Sequence, residues 1–304
     1  MLCMKTSIKK RNSLTLLLMG LPFFIILVMF SYVPIFGWVL SLFNYKPGIP
    51  LSQTPFTGLT YYIKIFQDWS NISRVLTNTF ALAFLNILSA PLAVIFAILL
   101  NEVRRIKFKK IVQVTTTIPN FISWIIVYSM AFAVFSTEGL LNQILKSFGW
   151  VGSPTNLLAR ESATWLFQAG LSIWKSLGWT AIIYLAAITG IDQELYASAK
   201  VDGAGRFRCV LHVTLPGIMP TFAVMMLLTI SNVLTVGFEQ YFVFKNSVVL
   251  DRIEVLDLYL YNVGIVANQY SFATAIGVLK TFVNVTLLFS ANFVLKKVRG
   301  EGLI

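Results

Sequence analysis

The chain has 304 residues, 57% of them hydrophobic and only 12% charged, with a formal net charge of +12. A soluble globule of this size needs a polar skin that so little charge does not supply, so lipid is the natural solvent for the excess apolar surface. The basic residues fall in short clusters between apolar runs, with no basic face of interleaved stacking aromatics, which argues against nucleic acid as a partner and for a membrane surface.

A bilayer-spanning helix takes about 20 mostly apolar residues. Six segments qualify: residues 14–43, 77–100, 111–135, 164–188, 218–244 and 272–295. They make one all-α, multi-pass transmembrane domain over residues 1–304, with no internal repeat and no linker that divides it. Lys5, Lys9, Lys10 and Arg11 precede the first apolar stretch as in a signal peptide. The stretch is too long for a signal core, and no A-x-A site follows it. It reads as an uncleaved span bent at Pro22 and Pro34.

The external connections are long, at 44–76, 136–163 and 245–271. In the first, Phe56 to Tyr62 with Ile63 and Phe66 at helical spacing reads as an interfacial amphipathic helix. Orientation follows the cations. The N-terminal four, Arg104, Arg105, Lys107, Lys109, Lys110, Lys200, Arg206, Arg208, Lys296, Lys297 and Arg299 share one side. Lys46, Lys64, Arg74, Lys146, Arg160, Lys245 and Arg252 lie on the other. Both termini are therefore expected in the cytoplasm. The two cysteines, Cys3 and Cys209, fall on that side, where a disulfide is not expected. With His212 as the single histidine, no metal-ligand set can be built.

Residues 190–216, between the fourth and fifth spans, carry the most specific pattern: GIDQELYASAKVDGAGRF running on to VTLP. Asp192 is a natural N-cap, residues 193–201 a short helix, and Gly203 a left-handed cap. A second short helix is expected from Arg206 to Pro216. The small residues Ala197, Ser198 and Ala199 give the helix pair a narrow side able to enter a groove on another protein.

This segment resembles the EAA loop of binding-protein-dependent ABC importer permeases: E-A-A, three residues, Gly, nine residues, I-x-L-P. Ala197-Ser198-Ala199, Gly203 and Val213-Thr214-Leu215-Pro216 occupy those positions. Glu194, Tyr196 and Asp202 belong to a longer string similar to the carbohydrate branch, closest to oligosaccharide and polysaccharide-fragment permeases with the maltose-type fold. Asn78-Thr79, Trp174-Lys175, Gly237 to Gln240 and Ala275 to Gly277 extend the likeness over the whole chain. One position departs: Ala197 stands where the family has the Glu that helps dock the loop onto the ATPase.

The resemblance implies a type I importer in a bacterial plasma membrane. Its implied partners are a second similar permease, two cytoplasmic ABC ATPase subunits and an external solute-binding protein. ATP and Mg would be used by the ATPases, and this chain would carry no cofactor.

Ionisable groups inside a bilayer cost about 2.5–3.5 kcal/mol on insertion scales and call for an explanation. Lys175, Glu239 and Lys280 are the three in the spans. Gln168, Ser172, Lys175 and Trp179 share a helical face in the fourth span, Asn232, Thr235 and Glu239 in the fifth, and Gly277, Lys280 and Asn284 in the sixth. These faces read either as a translocation path, with Trp174, Trp179 and Tyr241 as flat surfaces for sugar rings, or as hydrogen bonding that holds the bundle. Lys280 has a third reading, pairing with a carboxylate of a partner subunit. The chain has no GxxxxGK[ST], HExxH or GxSxG motif and no glycosidase-like carboxylate pair, so it is not expected to be an enzyme. The alternative, a secondary active transporter of a small polar solute, would show repeated halves, and none is evident.

Overall fold

The structure, a computed structural model, describes residues 2–150 and 154–299, with side-chain surroundings for 15–150 and 154–297. Cys3, Lys5, Lys9, Lys10, Arg11 and Arg299 have side chains outside that description. The described residues are all-helical, and six segments are long and apolar enough to cross a membrane: Thr15–Leu42, Trp69–Glu102, Trp124–Ser147, Glu161–Thr189, Arg206–Ser231 and Tyr270–Lys297. The chain divides into two compact units, Met1–Asp68 with Leu260–Leu279, and Trp69–Tyr259 with Lys280–Ile304.

In the first unit, α1 (Leu2–Leu27) passes through a π turn, Val28–Tyr32, into a 3-10 stretch, Val33–Leu42. Pro22 sits inside α1, while Pro34 opens the 3-10 stretch, so the helix passes the first proline unbroken and leaves α winding at Val28, ahead of the second. The amphipathic helix expected after Phe56 forms as α2 (Thr60–Gln67), with Ile65 buried and Ile63 and Phe66 exposed. Ser41 and the Tyr62 hydroxyl lie 2.9 Å apart, and the Tyr45 N–H donates to Ser271 Oγ at 3.0 Å. These bonds hold α2 and the start of the last span to the end of the first.

The second unit is built on α3 (Trp69–Glu102). After a three-residue turn come α4 (Ile106–Thr117), a 3-10 turn at Ile118–Phe121, α5 (Trp124–Phe135) and α6 (Leu140–Ser147). Then follow α7 (Thr164–Thr189), α8 (Gln193–Val201), α9 (Arg206–Cys209) and α10 (Leu215–Ser231). Short helices α11 (Glu239–Phe244), α12 (Leu250–Ile253) and α13 (Leu256–Tyr261) precede α14 (Tyr270–Arg299).

One core joins Ala93, Ala97 and Leu100 of α3 to Ala181, Tyr184 and Ile188 of α7 and Ile218 of α10. Small residues at the crossing let the backbones close up, which is how helices pack where lipid supplies no hydrophobic drive. Gly178 is the extreme case, since a Cβ there would overlap the Thr116 carbonyl of α4. A second core gathers Leu82, Val127, Ala131, Phe244, Ile253, Val255 and Leu258.

Two expected spans are broken. The third runs as α4 and α5 with a non-α stretch at Ile118–Ser123, because Pro119 has no N–H to continue the ladder. The fifth starts earlier, at Arg206, and stops at Ser231, short of the expected 244. Asn232, Thr235 and Glu239 therefore share no helical face. The separate helix expected from Arg206 to Pro216 does not end there either. It runs through a π turn, Val210–Thr214, straight into α10, the turn taking up the mismatch left by Pro216.

The connection expected outside at 245–271 is also more than a loop. It carries α12 and α13, and Ile253, Val255 and Leu258 are fully buried.

Candidate functional site

The segment after α7 is set by local hydrogen bonds. The Asp192 carboxylate accepts the Glu194 N–H at 2.9 Å and caps α8 as expected. At the other end the Ala204 N–H reaches the Ala199 carbonyl at 2.9 Å and the Gly203 N–H reaches that of Lys200 at 3.0 Å. This 6→1 and 5→2 pair closes on Gly203 at φ +75°, a conformation costly for any residue with a Cβ. The chain then reverses into α9. Tyr196 Oη lies 2.9 Å from Thr214 Oγ1 and ties the two arms together, and Gly217 lets Ile191 pack against α10 where a Cβ would collide.

The result is a bent pair, bonded across its arms, with two faces. Gln193, Tyr196 and Lys200 look inward on a cleft of about 540 Å³ that reaches Glu102, Arg206 and Cys209. Glu194, Ala197, Ser198 and Asp202 are exposed, and Ala199 is half-buried. Val201 is 87% and Phe207 78% exposed, on either side of the bend. Pro216 lies in the opening turn of α10.

The polar residues of the spans divide differently from the sequence expectation. Lys175 Nζ donates to the carbonyls of Pro119, Asn120 and Ile122 at 3.1, 2.8 and 2.7 Å and lies over the Trp124 ring. It satisfies the acceptors freed where the third span breaks. Lys280 forms an ion pair with Asp257, both side chains about 85% buried. Its partner is thus within this chain, on a segment read from sequence as external.

Gln168 is buried and receives the Gln240 side chain at 2.8 Å, so it belongs to the core. Tyr241 is 1% exposed in the second core and offers no surface in this conformation, a correction to its reading as a sugar platform. Asn232 Nδ2 donates to the Leu228 carbonyl at 2.9 Å and ends α10. Asn284 Nδ2 donates to Thr235 Oγ1 at 3.2 Å, which does join the fifth and sixth segments.

Glu239 is exposed in the first turn of α11, and Ser172 is half-buried on α7. Trp179 stands edge-on to Phe121 with centroids 5.6 Å apart, and Trp174 borders an apolar groove of about 510 Å³ with Met130 and Val134. Both tryptophans are exposed.

Sequence reasoning missed the clamp between α3 and residues 251–256. Arg74 pairs with Asp251 at 2.9 Å and Glu254 at 2.8 Å. Asn78 Nδ2 donates to the carbonyls of the same two residues at 2.9 and 3.1 Å, and Thr79 Oγ1 accepts the Leu256 N–H at 2.9 Å. The available signal was three carboxylates, Asp251, Glu254 and Asp257, spaced by three in an apolar run.

Residues 89–300 match the model of the binding-protein-dependent transport system inner membrane component. The polygalacturonan/rhamnogalacturonan transport system permease protein YteP of Bacillus subtilis is 38% identical, over 95% of this chain and 89% of that protein. Protein LplB of the same organism is also 38% identical, with the same shares covered. Among solved structures, a bacterial alginate ABC transporter in complex with its alginate pentasaccharide-bound periplasmic protein contains a chain 30% identical. The TM-score is 0.86, over 97% of this chain and 98% of that one.

Proposed function

This chain belongs to the family of binding-protein-dependent transport system inner membrane components, and from that premise we propose how it works. It is the permease subunit of an ATP-driven importer, acting with a second permease, ATPase subunits and an external solute-binding protein. Its solute is an oligosaccharide. The named relatives point to fragments of an acidic polysaccharide, since one carries polygalacturonan and rhamnogalacturonan and a solved neighbour imports alginate.

The observation that carries the mechanism is the bent pair at residues 190–216: capped at both ends, tied by Tyr196 and Thr214, and exposed along its outer side. A rigid element continuous with α10 turns a push on its tip into a movement of a span. ATP and Mg act on the ATPase subunits, which bias the two states of the permease through differential contacts with this tip. Glu194, Ala197, Ser198, Ala199, Asp202 and Gly203 form the coupling surface, and both termini lie on the same, cytoplasmic side. The exposed Trp174, Trp179, Thr235 and Glu239 are the groups of this chain available to a passing sugar, together with Ser172 and Asn284. Lys175 and Lys280 hold the bundle in the state described here and become available only if their present partners let go.

The test is transport by the reconstituted complex in vesicles with its binding protein. ATP-dependent accumulation of labelled oligogalacturonide, with a neutral malto-oligosaccharide left outside, is the expected result. Uptake of the neutral sugar alone would overturn the acidic class, and uptake that ignores ATP would overturn the mechanism.

A further inference from the structure

The basic connection between α3 and α4 is used by neither the coupling surface nor the solute path. α3 ends at Glu102 and α4 begins at Ile106, so the chain turns straight back along the bundle. Five cations, Arg104, Arg105, Lys107, Lys109 and Lys110, stand within seven residues. Lys109 is half-buried and reaches Asn101 Oδ1 at 3.4 Å. The other four are exposed and have no carboxylate partner among the described residues. Glu102, the adjacent carboxylate, lines the inner cleft beside Lys200 and Arg206 instead. Four like charges held together repel one another unless an anion joins them.

The same face continues as apolar surface. Lys107, Lys110, Ile111, Val114 and, just past the helix end, Ile118 recur at helical spacing, and the last three are each more than half exposed. The opposite face, with Val112 and Thr116, packs toward α7. Cations thus stand where α4 enters the bundle and aliphatic side chains lie further along. That order matches a phospholipid, whose charged head sits at the surface and whose chains run inward.

We propose that this surface binds an acidic phospholipid, its phosphate held by Arg104, Arg105, Lys107 and Lys110 and its acyl chains lying along Ile111, Val114 and Ile118. The site is independent of which solute the importer carries.

Native mass spectrometry of the assembled importer, titrated with phosphatidylglycerol or phosphatidylcholine, tests it. The wild-type complex is expected to retain phosphatidylglycerol at least tenfold better. Removing all five cations would disturb insertion, so paired variants are used. Arg104→Gln with Arg105→Gln, and Lys107→Gln with Lys110→Gln, should each cut retention by roughly fivefold or more, since each cation near an acidic headgroup contributes about a factor of five. Lys296→Gln with Lys297→Gln should leave it unchanged. Ile111→Asn with Val114→Asn should weaken lipid retention with the cations intact, whereas inorganic phosphate should compete poorly. Equal retention of both lipids, or unchanged retention in the paired variants, overturns the proposal. So does full displacement by inorganic phosphate. Loss of ATPase subunits from the Lys107/Lys110 variant with lipid retention intact would overturn it in favour of a protein contact.

Discussion

Residues 190–216 and residues 245–259 are both connections between spans, and they are built by opposite means. The first is held by bonds between near neighbours in sequence: Asp192 to Glu194, Ala204 to Ala199, Gly203 to Lys200. Its helix α8 buries no residue, and its outer side is free. The second is held by partners far along the chain, Arg74 and Asn78 on α3 and Lys280 on α14, and its apolar residues fill a core. Local caps define a shape without needing burial, so such an element can stay exposed and act on another protein. A segment stabilised through distant partners has a shape that depends on the whole bundle, and it can register the bundle's state.

Breaking the second region should give the largest effect. Asp257→Asn or Lys280→Met alone leaves a charge without its partner in a largely buried setting and should destabilise by about 3–5 kcal/mol. The double replacement should recover much of this. Thermal unfolding of the detergent-solubilised protein checks both, and additive losses would remove the pair from the account. Asn78→Ala, which strips the buried Glu254 carbonyl and the part-buried Asp251 carbonyl of their donor, should cost about 1–3 kcal/mol in the same assay. In the exposed region the expected losses are smaller. Asp192→Ala removes one cap and should cost about 1 kcal/mol or less in global stability, while local amide exchange in α8 speeds up measurably. A global loss as large as that at Asp257 would erase the contrast between the two regions.

The same contrast explains what could be read from sequence. Asp192, Gly203 and the helix between them were legible because caps and left-handed positions select residue types within a few residues. Spans two, four and six were legible as apolar runs, but hydropathy rewards composition and is blind to continuity. The break after Pro119 and the stop at Ser231 therefore stayed hidden, although Pro119 marked the first of them. Lys175 and Lys280 stand out in the sequence, with Glu239, as ionisable groups inside spans that call for an explanation. Their actual partners, three backbone carbonyls and Asp257, lie 53–56 and 23 residues away, beyond the reach of a helical-face argument. Glu254 and Asp257 fall in the connection read as external, and it is their long-range pairing with Arg74 and Lys280 that lets these carboxylates be buried.

In the proposed mechanism the bend at Gly203 couples ATP use to the spans, and a Gly203→Pro importer removes that bend alone. Proline fixes φ near −65°, against the +75° found here, and removes the N–H bonded to Lys200. The expected complex inserts, assembles with its ATPases and still hydrolyses ATP, yet accumulates no solute in an uptake assay. Normal uptake by that assembled variant would contradict it.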